Sequence, residues 1–173
     1  MDLSKKTCRH VLMALAVAGI MLTAGISASS AQWQQASNGF VPRGAMRAGQ
    51  ESNGAPLFVC RAFFNGGLHP GKIRPEFRGC NIPYGGRENR VGRYEVLMDV
   101  RGVRWVMRRN GNVPRRALPA GREANGAPLY LCRAFFNGGL HPGKIRREFN
   151  GCNIPYGGRE QRVSNYEVLI QRR

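Results

Sequence analysis

Residues 33–101 and 105–173 are one sequence written twice: adding 72 to a residue number in the first copy gives its partner in the second, and 49 of 69 aligned positions are identical, with no insertion. Trp33 maps onto Trp105, and the block from Cys60 to Arg74 recurs unchanged from Cys132 to Arg146. Such self-similarity constrains the fold before any element is assigned, because two near-identical units must stack into one structure. It also means that a site in one copy predicts a second. Each copy of about 70 residues would bury a marginal core alone, whereas the pair has a normal single-domain length. The copies are joined only by Gly102-Val103-Arg104, so the last strand of copy one runs almost straight into copy two. A shared core and exchange of strands between the halves are expected.

Within a copy, helix signals are scarce and turn signals frequent. Asn38-Gly39, Asn53-Gly54 and Asn65-Gly66, echoed by Asn110-Gly111, Asn125-Gly126 and Asn137-Gly138, offer the positive φ that tight hairpins need. Between them lie apolar, aromatic-rich runs, clearest at Pro56–Phe64 and Pro128–Phe136, with alternating runs at Tyr94–Met98 and Tyr166–Ile170. These read as strands. The segment from Leu68 to Gly86, rich in Pro, Gly and Asn, reads as shaped but irregular backbone. Trp33 and Trp105, at strand starts, are expected to pack in the core.

The first 31 residues read as an export signal: Lys5, Lys6 and Arg9 precede an apolar run from Val11 to about Ile26, and Ser29-Ser30-Ala31 supplies a small-residue cleavage site. The run is interrupted by Thr23 and Gly25 and is short for a spanning helix, so no transmembrane span is expected after processing. The protein is expected to be secreted or periplasmic. Losing this segment removes three positive charges and one negative, leaving +15 of the chain's +17, which favours anionic partners on contact. It also leaves four cysteines, Cys60, Cys80, Cys132 and Cys152, an even number suited to disulfides in an oxidising compartment. The duplication favours Cys60–Cys80 with Cys132–Cys152, although pairing between copies is equally symmetric.

Catalytic signatures are missing from the sequence: there is no nucleophile elbow, paired-carboxylate motif or Ser/His/acid constellation, so no enzyme is expected. His69 and His141 precede Pro-Gly-Lys without further residues at ligand spacing, and no Cys-x-x-Cys occurs. No metal site and no cofactor is expected.

The ordered motifs are Trp, Val-Pro-x-x-Ala, Ala-Gly-x-Glu, Pro-Leu-Phe/Tyr, Cys-Arg-Ala, Pro-Gly-Lys, Cys-Asn-Ile-Pro-Tyr-Gly-Gly-x-Glu and Tyr-Glu-Val-Leu. Their order and spacing resemble the DM-nine (DM9) repeat family, over Trp33–Leu97 and again over Trp105–Leu169. The resemblance implies an all-β, compact β-sandwich from two tandem, strand-exchanged repeats (33–101 and 105–173) forming one domain. It also implies a lectin-like protein that binds mannose-type or other neutral hexoses on glycans. In the sugar-binding members an acid after Ala-Gly and the lysine of Pro-Gly-Lys line the pocket, positions matched here by Glu51 with Lys72 and by Glu123 with Lys144. The acid is Asp in such a lectin and Glu here, one methylene longer.

Chemically the pair suits a sugar, since a carboxylate accepts from hydroxyls and an ammonium donates to them. Small residues beside each, Ala-Gly and Pro-Gly, would let a ligand approach the backbone. Residue types alone favour plain Glu–Lys surface pairs worth under about 1 kcal/mol, and only the family resemblance raises the sugar-binding reading to match them. Tyr84 and Tyr156, flanked by Pro and Gly-Gly, are candidates for a pocket rim.

Two other functions compete. Arg104, Arg108, Arg109, Arg115 and Arg116 form a dense basic run that could hold anionic cell-envelope polymers or membranes; export disfavours intracellular nucleic acid. A structural protein without a small ligand is the third reading. The sequence does not set an oligomeric state.

Overall fold

The structure, a computed structural model, describes residues 31–172. The expected export signal therefore lies outside the described residues, apart from Ala31. Copy one contributes β1 (Trp33–Ser37), β2 (Arg47–Gln50), β3 (Pro56–Phe64), β4 (Gly67–Ile73), β5 (Cys80–Tyr84), β6 (Arg87–Val91) and β7 (Arg93–Leu97). Copy two repeats them as β8 (Val103–Arg109), β9 (Pro119–Arg122), β10 (Pro128–Phe136), β11 (Gly139–Ile145), β12 (Cys152–Tyr156), β13 (Arg159–Val163) and β14 (Asn165–Gln171). Apart from two single-turn 3₁₀ segments, Pro75–Phe77 and Arg147–Phe149, the regular structure is all β. No helix among the described residues is long and apolar enough to cross a membrane.

All fourteen strands join one hydrogen-bonded network. The central pairings run β2–β3–β4–β9–β10–β11 and back to β2, three strands from each copy. The two layers thus meet at their edges, and the expected sandwich closes into a barrel-like ring. Strand exchange takes the form of these crossings: Gln50 in β2 pairs with Leu140 in β11, and Leu68 in β4 with Arg122 in β9. A third crossing pairs Arg87 in β6 with Arg159 in β13.

The core follows the same plan. One buried cluster belongs to copy one, around Ile73, Ile82 and Tyr94, and a second to copy two, around Ile145, Ile154 and Tyr166. A third is shared, combining Met46, Ala48, Val59 and Leu97 with Leu118, Ala120, Leu131 and Leu169. Trp33 and Trp105 pack against this shared cluster but are only half-buried. Their outer faces are covered by guanidinium groups, Arg61 at 3.9 Å and Arg133 at 4.2 Å, a cation–π arrangement.

The long strands β3 and β10 fall at the expected residues, closed by Asn65-Gly66 (φ 44° and 77°) and Asn137-Gly138 (φ 45° and 76°). That double positive φ is the hairpin geometry Asn-Gly favours. The Asn53-Gly54 turn differs, since only Gly54 has positive φ and Asn53 Oδ1 instead accepts from Ala55 N.

Leu68–Gly86, expected to be irregular, contains two strands, β4 and β5, joined through the turn at Pro75–Phe77. Pro70 and Gly71 sit inside β4, and both placements have a cause. The outer edge of β4 pairs with β9 at Leu68 and with β5 at Lys72, so Pro70 falls where the edge changes partner and its missing N–H breaks no ladder. A Cβ on Gly71 would stand 2.1 Å from Asn81 O, so only glycine admits β5 so closely.

Disulfides join Cys60 to Cys80 and Cys132 to Cys152. They are the intra-copy pairs, tying β3 to β5 and β10 to β12 across separations of 20 residues. A loop of that size contributes on the order of 3 kcal/mol per bridge on chain-entropy grounds.

Candidate functional site

Glu51 follows the last residue of β2, where its N–H donates to Ala55 O and its own carbonyl accepts from Gly54 N. Because neighbouring Gln50 pairs with Leu140, Glu51 is delivered to the second copy. The Ala48-Gly49 step makes this possible: a Cβ on Gly49 would lie 1.9 Å from Leu140 O, and one on Gly121 2.0 Å from Leu68 O. The glycines of Ala-Gly and Pro-Gly therefore admit another strand of the chain, where the sequence suggested room for a ligand.

Lys72, on β4, meets Glu51 with Nζ 3.5 Å from Oε1. It also lies 3.2 Å from Nδ1 of His141, which is in turn 3.9 Å from Glu51 Oε2. Tyr156 packs edge-on against His141 at 5.0 Å, and Lys72 Nζ is 5.3 Å from the Tyr156 ring and 5.6 Å from that of Phe77. Glu51, Lys72 and Phe77 come from copy one, His141 and Tyr156 from copy two. Each copy completes the other's site.

The second site repeats the arrangement. Lys144 Nζ is 3.8 Å from Glu123 Oε1 and 3.2 Å from His69 Nδ1, with Tyr84 at 5.3 Å and Phe149 at 5.5 Å. Tyr84 thus stands beside Lys144, and Tyr156 beside Lys72, so each candidate rim residue serves the site of the other copy. The lysines are not exposed partners in a surface pair, since Lys72 and Lys144 are each 2% exposed. The Glu51 and Glu123 side chains remain 19% and 18% exposed, so the carboxylate forms the outer edge of each site with the ammonium behind it.

Burial sets the charge states. His141 is pushed down to about 4 by burial and then by the Lys72 ammonium, against the opposing pull of Glu51 and the Phe136 carbonyl. His69 is likewise pushed down to about 4 by burial and Lys144, opposed by the Phe64 carbonyl. Both rings are therefore neutral at pH 7. In His141, Nε2–H donates to Phe136 O at 3.2 Å, which leaves Nδ1 as the acceptor for a Lys72 proton. Burial also depresses Lys72, with Glu51 and Glu88 pulling the other way, and Lys144, with Glu123 and Glu160 opposing. With one proton directed at His141 Nδ1 and one at Glu51, the Lys72 ammonium has a third N–H to offer.

Sequence reasoning missed the histidines and a second pair of acids. Glu88 accepts from Asn81 Nδ2 at 2.8 Å and from the Gly158 N–H of the other copy at 2.8 Å; Glu160 does the same with Asn153 and Gly86. These latches clamp the two Gly-Gly hairpins together and bring negative potential to the lysines. Among the described residues, His69 Nε2 and the Oδ1 atoms of Asn81 and Asn153 are buried without a hydrogen-bond partner, so the His141–Phe136 bond is not repeated at His69, and no cluster of three or more His, Cys, Asp or Glu could hold a metal.

A solved structure of similar fold is the nematode sperm cell motility protein MFP2B, with a TM-score of 0.59, 16% sequence identity, and coverage of 82% of this chain. The chain spans 46% of that protein's length. No curated protein sequence matches significantly. The DM9 repeat family model matches residues 20–91 and 54–163, overlapping windows that together take in both halves of the ring described above. The chain belongs to the DM9 repeat family.

Proposed function

We propose that this is a non-catalytic, lectin-like carbohydrate-binding protein of an exported, oxidising environment. Its two pseudo-equivalent sites would be Glu51, Lys72, His141 and Tyr156, and Glu123, Lys144, His69 and Tyr84. The ligand is a neutral hexose of a glycan, mannose-type in the first instance. The observation that carries this reading is the buried ammonium, fixed by an imidazole and a carboxylate from opposite copies, and present twice. Removing an ammonium from water costs several kcal/mol, which a plain ion pair with a partly exposed acid does not return. A site that must present a directed N–H beside a carboxylate does require it.

In this arrangement adjacent sugar hydroxyls donate to Glu51 and accept the third proton of Lys72, both as charge-assisted bonds. The C–H face of the ring rests on Tyr156, a half-buried residue. Family membership supports binding of carbohydrate in general, and the geometry supports a small uncharged ligand at a paired cation and anion. The two disulfides fit the oxidising compartment that the proposed export signal would reach.

A glycan array run at low and high salt, with the Lys72→Met/Lys144→Met variant beside the unmodified chain, tests the reading. Salt-resistant binding to neutral hexose glycans, lost in the variant, is expected, because clamping an uncharged sugar releases few counterions. Binding confined to anionic glycans, erased by salt and unaffected by the variant, would sink it.

A further inference from the structure

The duplication supplies an internal control for a second surface. In copy one a cleft of about 460 Å³ opens between the turn at Pro42–Ala45, the start of β3 and the 3₁₀ turn, lined by Arg43, Phe58, Arg74 and Glu76 among others. Copy two has the matching cleft, about 270 Å³, lined by Arg115, Tyr130, Arg146, Arg147 and Glu148. The copy-two cleft continues at Pro114 and Arg115 into a groove of about 490 Å³, lined by Arg104, Arg108, Arg116 and Arg172.

Five of these arginines have no counterpart. Arg104, Arg108, Arg116, Arg147 and Arg172 stand where copy one has Gln32, Ala36, Gly44, Pro75 and Val100. The same backbone folds with neutral residues at every one of these positions, so the fold does not require the charge. Among the described residues, the only acid lining the copy-two cleft and its groove is Glu148, whose carboxylate is already held by Arg146 at 2.7 Å. Arg104 and Arg108 lie on the same face of β8, on either side of Val106, which packs on the copy-two core. Alternation and a rise of about 3.3 Å per residue set their Cα atoms about 13 Å apart along a strand whose outer edge ends the sheet.

We infer that this groove is a binding site for an anionic polysaccharide, a flexible chain bearing sulfate or carboxylate groups, separate from and independent of the two hexose sites. Planar guanidinium groups accept such oxyanions in bidentate fashion. The arginines line a concavity, which the charged groups of a flexible chain can enter and a flat lipid surface meets only at the rim. The single aromatic in its lining, Tyr130, is half-buried in the wall, which gives nucleobases no stacking platform.

The test measures binding of the purified chain to dextran sulfate, with uncharged dextran as blank and duplex DNA and phosphatidylglycerol vesicles as rivals. The variant Arg104→Gln/Arg108→Ala/Arg147→Pro/Arg172→Val imports copy-one residues. Arg116 is retained because its guanidinium donates to the Arg172 carbonyl, and Pro is tolerated at 147 because Arg146 is already extended (φ −141°, ψ 162°). The control Arg78→Asn/Arg90→Gln/Arg93→Asn/Arg101→Gln removes the same charge from exposed sites in copy one.

The groove variant should weaken dextran sulfate binding on the order of 10- to 100-fold and flatten its salt dependence, while the control keeps most of its affinity and both keep the unmodified melting temperature. Equal weakening by the two variants would overturn the site in favour of net charge. Tighter binding to DNA or to vesicles than to dextran sulfate would overturn the assignment of its ligand.

Discussion

Lys72 and Lys144 carry the argument at the scale of single residues, because burial turns an ordinary ion pair into a directed donor. Replacing either by Met keeps most of its length and removes the charge. The Lys72→Met/Lys144→Met variant keeps the packing but leaves Glu51, Glu123 and both imidazole Nδ1 atoms without their donor, so it should melt below the unmodified protein, as removal of one partner of a buried pair does. The Ala variant should lose about 2 kcal/mol or more per site through the cavity it leaves. Denaturant unfolding of both would check the contrast, and sugar binding should be lost in each.

The histidines give a pH dependence with a definite sign. Their folded values, about 4, lie below the ordinary value near 6.5, so the unfolded chain binds more protons between these limits. Their stabilising contribution is then complete above about pH 6.5 and is lost as pH falls toward 4. Melting temperature should drop across that window, and much less so in His69→Asn/His141→Asn, whose amides can accept from the lysines without titrating. An identical drop in the variant would remove the histidines from the explanation.

The histidines were legible in principle. Alternation along a strand puts His69 on the opposite face from Lys72, so His69 could never serve its own copy's lysine and needed another partner. That signal stays hidden when Leu68–Gly86 is read as irregular, because the alternation then has no meaning.

At the scale of elements, the turns and the long strands could be read directly, since Asn65-Gly66 and the run from Pro56 to Phe64 are local signals. What could not be read is which edges meet. Pro70 signals a broken ladder only until β9 and β5 are seen to divide the outer edge of β4 between them. Gly49 and Gly121 look like space for a ligand until Leu140 O and Leu68 O are seen to fill it. Placing Ala at both positions should separate β2 from β11 and β9 from β4, costing about 1–3 kcal/mol each as backbone is forced apart and disordering both sites. Gly92→Ala, with nothing within 4 Å of the added Cβ, should leave stability within about 0.5 kcal/mol. Equal melting temperatures for all of these variants would show that the close approach is not what holds the halves.

At the scale of the whole molecule, duplication has produced two copies that are incomplete alone. The shared cluster, the crossings of the ring and the exchanged histidines and tyrosines all point the same way. A shared core was legible from the short linker at 102–104, and symmetry limited the disulfides to pairing within or between copies, but the composite sites were not legible. The sequence pairs each lysine with the acid of its own copy and says nothing of an imidazole 69 residues away.

The direct measurement is the stoichiometry of neutral hexose binding by calorimetry in two double variants. Glu51→Gln/His141→Asn places both changes in one composite site and should leave one intact site per chain. Glu51→Gln/His69→Asn places one change in each and should leave none. The reverse result would contradict the composite arrangement and return each histidine to its own copy.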